Sequence, residues 1–358
     1  MRLATQRSRN KKLIGPVLVT GHTGFKGAWL TLLLEALDIE VVGLSLPADP
    51  NSLYHRLHRF GEIQEAFIDI RNRDEIEKFI KLTKPSLVIH LAAQPLVLDS
   101  YKSPVETFEV NVIGTANILD ASFQCGFVES IVVSTTDKVY RNTNNKVRFI
   151  ESDPLAGKDP YSASKVGTEN AIIAWQNIQK IYGGPQVAAV RSGNVIGGGD
   201  WAKNRIVPDL VRAYTENTSL EIRNPQSTRP WQHVLDPLHG YVLTAIALKE
   251  GNEIPSLNFG PSEPSLSVRD LVSIANQTWV NNSKIFYGSG ENMVEAENLD
   301  LNSNLAREKL NWNSLWTQEE SIVATFEWWK AVFMNQAKPL ELCKKEIEFV
   351  LSQESILF

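Results

Sequence analysis

The sequence predicts an α/β protein, a doubly wound parallel sheet followed by a smaller C-terminal lobe. Short apolar runs alternate with helical patterns through the first half of the chain, a glycine-rich turn divides the first run from the first helix, and beyond about Asp200 the alternation loosens. Strands joined by helices of about 10 to 15 residues form parallel sheets covered on both faces. Such strands read as continuous apolar runs because neither face meets water.

In order, "PVLVT" leads to the helical "GAWLTLLLEAL", and "EVVGLSL" is a second strand. "AFIDI" precedes the helix "RDEIEKFIKL", and "SLVIHLAA" precedes the apolar-periodic "VNVIGTANILDASF". "SIVVST", the helix opened by "YSASK" and "VAAVRSGNVIGGG" continue the pattern. Helical patterns at "VPDLVRAYTEN", "VRDLVSIANQTWV" and "TQEESIVATFEWWKAVF" build the lobe, while "DPLHGYVLTAIAL" and "SLNFG" return to the main sheet. The expected division is 13–191 for the main domain with 230–260 returning to it, 192–229 and 261–335 for the lobe, and 1–12 and 336–358 as tails.

A chain of 358 residues exceeds the roughly 250 to 300 at which single cores stop growing, in keeping with two lobes. Apolar residues make up 43% and charged residues 22%, and no apolar run approaches the roughly 18 residues of a membrane span. A net charge of −5 gives no electrostatic case for nucleic acid as a partner. The basic opening "MRLATQRSRNKK" leads into no apolar signal-peptide stretch, and the cysteines, Cys125 and Cys343, suit a reducing cytoplasm.

The turn after the first strand, "TGHTGFKG", spaces Gly21, Gly24 and Gly27 as G-x-x-G-x-x-G with Thr23, Phe25 and Lys26 between them. Glycines there let the turn tighten and let backbone approach a pyrophosphate, which then sits among the free N–H groups of the helix start. This predicts a Rossmann-type domain that binds NAD or NADP. The acidic residue expected about 20 positions on, to hold the adenosine ribose, is displaced. The second strand ends "LSLPADP", with Asp49 slightly beyond that place. Lys26 is either an exposed helix lysine or a partner for a 2′-phosphate. Asp69, beside Ile70 at the end of the third strand, is either an acceptor for the adenine amino group or the N-cap of the next helix.

Tyr161 and Lys165, in "DPYSASK", lie four apart at a helix start and so on one face. An ammonium one turn from a phenol lowers the phenol's pKa from about 10 and fits it for proton exchange with a substrate hydroxyl. "STTDKVYR" sets Asp137 and Lys138 directly after an apolar strand. Taken locally, this is a turn with a solvated ion pair. At the carboxyl end of a strand in a doubly wound sheet, it faces the ligand crevice.

The chain resembles the extended short-chain dehydrogenases/reductases that act on nucleotide sugars, over about Val17 to Trp329, through "TGHTGFKG", "HLAAQP", "NVIGT", "YSASK" and "RPWQHV". Within that superfamily its Asp-Lys pair, "GNVIGGGDWAKNR" and "RNPQSTRPWQHV" are most similar to the 4,6-dehydratases of CDP-linked glucose. The resemblance implies tightly bound NAD, a homodimer or higher oligomer, and cofactor contacts from Asp69, Ile70, Ala92 and Ala93. It implies that Tyr161 takes the proton of the sugar 4-hydroxyl, that Lys165 holds the ribose and tunes Tyr161, and that Thr136 bonds the 4-oxygen. Elimination of water across C5 and C6 then needs a base and an acid, for which Asp137 and Lys138 are the candidates. Related dTDP-glucose dehydratases carry glutamate where this chain has Lys138, which either takes the C5 proton as a neutral amine or steadies the enolate as a cation.

The substrate set is Gln94, Asn194, Lys203, Arg205, Arg229 and His233, with arginine forks suited to a diphosphate. Histidines such as His233 and His90 are more often satisfied structural groups than ligands. No His, Cys or carboxylate cluster has metal-ligand spacing, so no metal is expected. The rival readings are a nucleotide-sugar 4-epimerase or oxidoreductase, which needs no acid and base at C5 and C6, and a non-catalytic dinucleotide sensor, which needs neither Tyr161 nor Lys165.

Overall fold

The apolar runs become neighbours in one sheet. In the computed structural model, which describes residues 15–143, 148–288 and 298–353, the strands are β1 (Val17–Thr20), β2 (Val41–Ser45), β3 (Gln64–Phe67), β4 (Leu87–His90), β5 (Ser130–Ser134), β6 (Gln186–Ser192) and β7 (Ser256–Phe259). They pair in the order β7-β6-β5-β4-β1-β2-β3, each pair parallel. Strand order reverses between β1 and β4, so the crevice of a doubly wound sheet opens over the carboxyl ends of these two strands.

Burial on both faces explains the unbroken apolar runs. Along β1, Val17 and Val19 join the core that holds Trp29, Leu33 and Tyr241, whereas Leu18 joins the opposite core with Val42, Ile80 and Ile118. Helix α1 (Phe25–Ala36) covers the first face, and α2 (Arg73–Thr83), α3 (Gly114–Cys125) and α4 (Pro160–Tyr182) cover the second. The segment before α3 departs from the simple helix read from its periodicity, because Glu109–Ile113 forms a π-helical turn.

Beyond β6 the chain builds the lobe from α5 (Ile206–Glu216), α7 (Val268–Thr278) and α8 (Gln318–Phe333), and sends α6 (Leu235–Lys249) and β7 back to the sheet. "DPLHGYVLTAIAL" therefore returns as a covering helix. The expectation of a tail after residue 335 is corrected: α9 (Pro339–Ser352) packs on α1, burying Cys343, Ile347, Val350 and Leu351 in the same core as Trp29. Residues 1–12, also expected as a tail, lie outside the described residues. No helix among the described residues is long and apolar enough to cross a membrane.

Candidate active site

The first strand ends in a turn that only glycine can make. Gly21 has φ 72°, and a Cβ on Gly27 would run into the Gly21 carbonyl. Gly24 stands open to solvent as the N-cap of α1, with no side chain capping the helix and no acidic residue in its first turn. An uncapped, carboxylate-free helix start fits a pyrophosphate. Thr23 closes the turn on β2, its Oγ1 2.6 Å from Ser45 Oγ and donating to the Leu46 carbonyl at 2.9 Å.

Lys26 takes neither course read from the sequence. Its side chain is half-buried and turns inward, Nζ donating to Ser192 Oγ at 2.9 Å and lying 3.5 Å from Tyr241 Oη. Asp49 is exposed, and its carboxylate accepts from the Asn51 amide at 2.7 Å, so it closes its own turn. Asp69 does not cap α2, a role taken by Asn72; it pairs instead with Arg71, Nη2 to Oδ2 at 2.6 Å, which holds its carboxyl below the usual range. Ile70 is buried and lies so near Gly114 that a Cβ there would meet its Cδ1 at 2.5 Å. Ala92 and Ala93 follow β4 beside the cradle, with Ala92 N donating to Thr20 Oγ1.

The Tyr161–Lys165 pair is set by a helix start. Asp159 caps α4 by accepting from Ser162 N at 2.9 Å, and Pro160 occupies the first turn. Tyr161 and Lys165 then lie a turn apart, both buried. Lys165 Nζ donates to the Ser134 carbonyl at 3.1 Å, which ties α4 to the end of β5. Directly after β5, Thr136 accepts from Lys138 N at 3.4 Å and starts a single 3₁₀ turn, Asp137–Val139. Asp137 Oδ1 accepts from Lys138 Nζ at 3.0 Å and from Thr136 Oγ1 at 3.0 Å. The pair is no solvated turn, since the side chain of Asp137 is 0% exposed and that of Lys138 23%. Asp137 Oδ2 is buried without a hydrogen bond among the described residues. Gly193 allows this approach: a Cβ there would clash with Pro230 and lie 3.3 Å from Asp137 Oδ2.

Burial dominates the titration of these groups. It pushes Tyr161 up to about 12, against the opposing pull of a hydrogen bond to Thr136 and the charge of Arg205. The Lys165 ammonium is turned to the Ser134 carbonyl. Burial, aided by Lys26, brings Lys165 down to about 8. Tyr161, Thr136, Asp137 and Arg205 thus converge on one point, with Lys165 and Lys26 beside it.

The remaining candidates divide. Arg205 caps the start of α5 and lies 3.4 Å from Asp200 Oδ2, facing Tyr161. Arg229 is buried and donates to its neighbour's carbonyl, Thr228 O, at 2.8 Å, next to the Pro230 that contacts Gly193. Asn194 follows Gly193 with its Oδ1 buried, and Lys203 is exposed. Gln94 is engaged by its own loop, Nε2 donating to Leu96 O and Thr107 Oγ1 and Oε1 accepting from Leu96 N. His233 is wholly buried, packs on Trp316 at 4.2 Å and lies 3.1 Å from Glu346 Oε2 on α9, contacts of a structural histidine and not of a substrate ligand. Sequence reading missed the inward turn of Lys26, with Ser192 and Tyr241 as its partners, and Thr135. Strand alternation was the available signal for Thr135, since it must point away from Thr136.

The fold and site define a dinucleotide-dependent enzyme whose Tyr-Lys pair stands beside a buried acid. The chain belongs to the NAD dependent epimerase/dehydratase family, whose model matches residues 17–260. It is 38% identical over 345 residues to the CDP-glucose 4,6-dehydratase of Salmonella typhimurium, covering 94% of this chain and 96% of that one. A probable dTDP-glucose 4,6-dehydratase of Sinorhizobium fredii is 28% identical over 256 residues, covering 68% of this chain and 71% of that one. Among solved structures, the NAD-dependent NDP-hexosamine 5,6-dehydratase TunA, involved in tunicamycin biosynthesis, superposes with a TM-score of 0.74 at 26% identity, over 88% of this chain and 98% of its own. MoeE5 in complex with UDP-glucose and NAD superposes with a TM-score of 0.77 at 25% identity, over 89% and 100%. NAD is the cofactor, and the uncapped glycine cradle and the Tyr161–Lys165 helix are the groups here that fit it.

Proposed function

We propose that this chain is a 4,6-dehydratase of CDP-glucose, yielding CDP-4-keto-6-deoxyglucose and water. The observation that carries the reading is the buried Asp137 bonded to Lys138 within the Tyr161 site. An epimerase or simple oxidoreductase has no need of an acid and a base at C5 and C6. The near full-length likeness to a CDP-glucose 4,6-dehydratase supports the reaction and the nucleotide.

The positive charge of bound NAD would offset the burial that holds Tyr161 protonated, and its phenolate then accepts the proton of the sugar 4-hydroxyl while Thr136 orients the oxygen. Bound NAD would supply the hydride store for an oxidation at C4 that is reversed at C6. A ketone at C4 acidifies the C5 proton. The Lys138–Asp137 hydrogen bond then offers an acid and a base: a proton passing from Nζ to Oδ1 would leave an amine for the C5 proton and a carboxylic acid for the C6 hydroxyl, which departs as water. Elimination restores the ammonium and the carboxylate. After hydride return, C5 regains a proton from Lys138, which is recharged from solvent as Tyr161 releases its own.

Arg205, Arg229, Asn194 and Lys203 take the diphosphate-sugar, drawn by a concentration of cations in a chain of net charge −5. The working form is a cytoplasmic homodimer. Val105, Phe108 and Ile113 before α3 and Ile173 on α4 expose apolar surface on two helices packed side by side, a self-complementary face for a second copy. Sedimentation of the chain and of Val105→Glu tests the dimer. Incubation with CDP-glucose tests the reaction: a dehydrated 4-keto product absorbing strongly in base supports it, an isomer points to an epimerase, and no turnover of any nucleotide sugar points to a sensor.

A further inference from the structure

Thr135 and Tyr140 stand at the two ends of the acid–base turn, and neither has a part in the chemistry above. Thr135 Oγ1 donates to Glu169 Oε1 at 2.6 Å. Tyr140 Oη accepts from Arg191 Nη1 at 2.8 Å and donates to Asn258 Oδ1 at 2.7 Å. Arg191 and Glu169 are joined as a fork, Nε to Oε1 at 2.9 Å and Nη2 to Oε2 at 2.8 Å. All of these side chains are buried.

The turn between these anchors is weakly held by its own backbone. Val139 N reaches Thr136 O at 3.4 Å and Tyr140 N reaches Asp137 O at 3.5 Å, both long for N–H···O bonds. Backbone bonds tie its ends, Thr135 N to Val190 O at 2.9 Å and Ala156 N to Val139 O at 2.8 Å, and the part between them depends on what the flanking side chains grip. Glu169 lies one turn beyond Lys165 on α4, so the carboxylate that receives Thr135 is fixed by the helix to the residues of the redox step. A buried ion pair costs desolvation and is often replaceable by apolar side chains without loss of stability, so packing alone does not account for one here.

We propose that the buried Arg191–Glu169 pair is a positioning device that fixes the Asp137–Lys138 turn against the Tyr161–Lys165 helix, through Thr135 at one end and Tyr140 at the other. It sets the distance between the two halves of the reaction, and its loss falls more heavily on elimination, which takes both its acid and its base from the turn, than on C4 oxidation, which takes only Thr136 from it. This rests on the dehydratase reading.

Thr135→Val and Tyr140→Phe each remove one hydroxyl and leave the ion pair in place. Mixed rapidly with CDP-glucose, both variants reduce bound nicotinamide within about threefold of the wild-type rate, and the reduced form then persists. Turnover and exchange of the C5 proton with solvent deuterium fall together by about tenfold to a hundredfold, with KM within about twofold. In hydrogen exchange on the free enzyme, amides of residues 135–141 open about tenfold faster while the rest of α4 keeps its protection. Oxidation slowed in step with elimination, or both unchanged, overturns the proposal, as does unchanged exchange in the turn. If the wild type leaves CDP-glucose untouched, the dehydratase reading fails, and the exchange measurement alone decides whether the turn hangs on this pair.

Discussion

Lys138 Nζ donates to Asp137 Oδ1 across 3.0 Å, with the carboxylate wholly shielded and the ammonium partly open to solvent. A buried carboxylate that loses its cation is left uncompensated, which costs far more than a surface pair is worth. Lys138→Met should therefore lower stability by on the order of 2 kcal/mol, and Asp137→Asn added to it should recover most of the loss. Urea denaturation of the two variants checks this; equal stabilities would mean the pair is solvated after all.

In the proposed reaction the same pair carries the elimination. Asp137→Asn keeps the shape of the side chain and removes the acid, so turnover should fall by about 10²- to 10⁴-fold, with reduced nicotinamide accumulating on mixing with CDP-glucose. Lys138→Met should abolish solvent-deuterium entry at C5. If C5 exchange persists in that variant, Lys138 only steadies the enolate and another group takes the proton.

Tyr161 is pushed up to about 12 by burial and Lys165 brought down to about 8 by burial and Lys26. Lys26→Met removes a neighbouring cation, so Lys165 should titrate at higher pH. The alkaline limb of the pH–rate profile that depends on Lys165 should move up accordingly. A profile that stays in place would separate Lys26 from the acid–base chemistry.

His90 is wholly buried and its protonation is fixed by its partners. Thr115 Oγ1 donates to Asn111 O at 2.7 Å, so at 3.0 Å it accepts from His90 Nε2, and Thr20 Oγ1 donates to Nδ1 at 2.6 Å. Burial lowers the folded pKa from 6.5 to about 3. With the folded value depressed, the unfolded chain takes up a proton first as pH falls. Stability should drop by about 1.4 kcal/mol per pH unit below 6.5, levelling near 3. His90→Asn should flatten that slope in denaturation curves taken between about pH 7 and pH 5.

The main sheet was legible because its strands are buried on both faces, so "VLVT", "LVIH" and "SIVVS" carry an unbroken apolar signal. The Tyr-Lys helix was legible from Asp159-Pro160 as a start signal and four-residue spacing. Direction was less so: Lys26 and His233 are polar residues in suggestive motifs, but one turns toward Ser192 and the other is locked between Trp316 and Glu346, contacts made by segments far away in the chain. Helix α9 was missed because its stripe of Leu342, Cys343, Ile347 and Val350 is short and interrupted by charge, and its partner α1 lies near the opposite end of the sequence. The Arg191–Glu169 pair was invisible for the same reason, joining β6 to α4 through side chains alone.

The proposed reaction joins oxidation at C4, elimination across C5 and C6, and return of the same hydride. CDP-glucose deuterated at C4 tests all three in one spectrum. The label should leave C4 and appear at C6 of a 4-keto-6-deoxy product in the same molecule, with solvent hydrogen at C5. Label retained at C4 of an isomeric CDP-hexose would contradict the dehydratase reading and make this chain an epimerase.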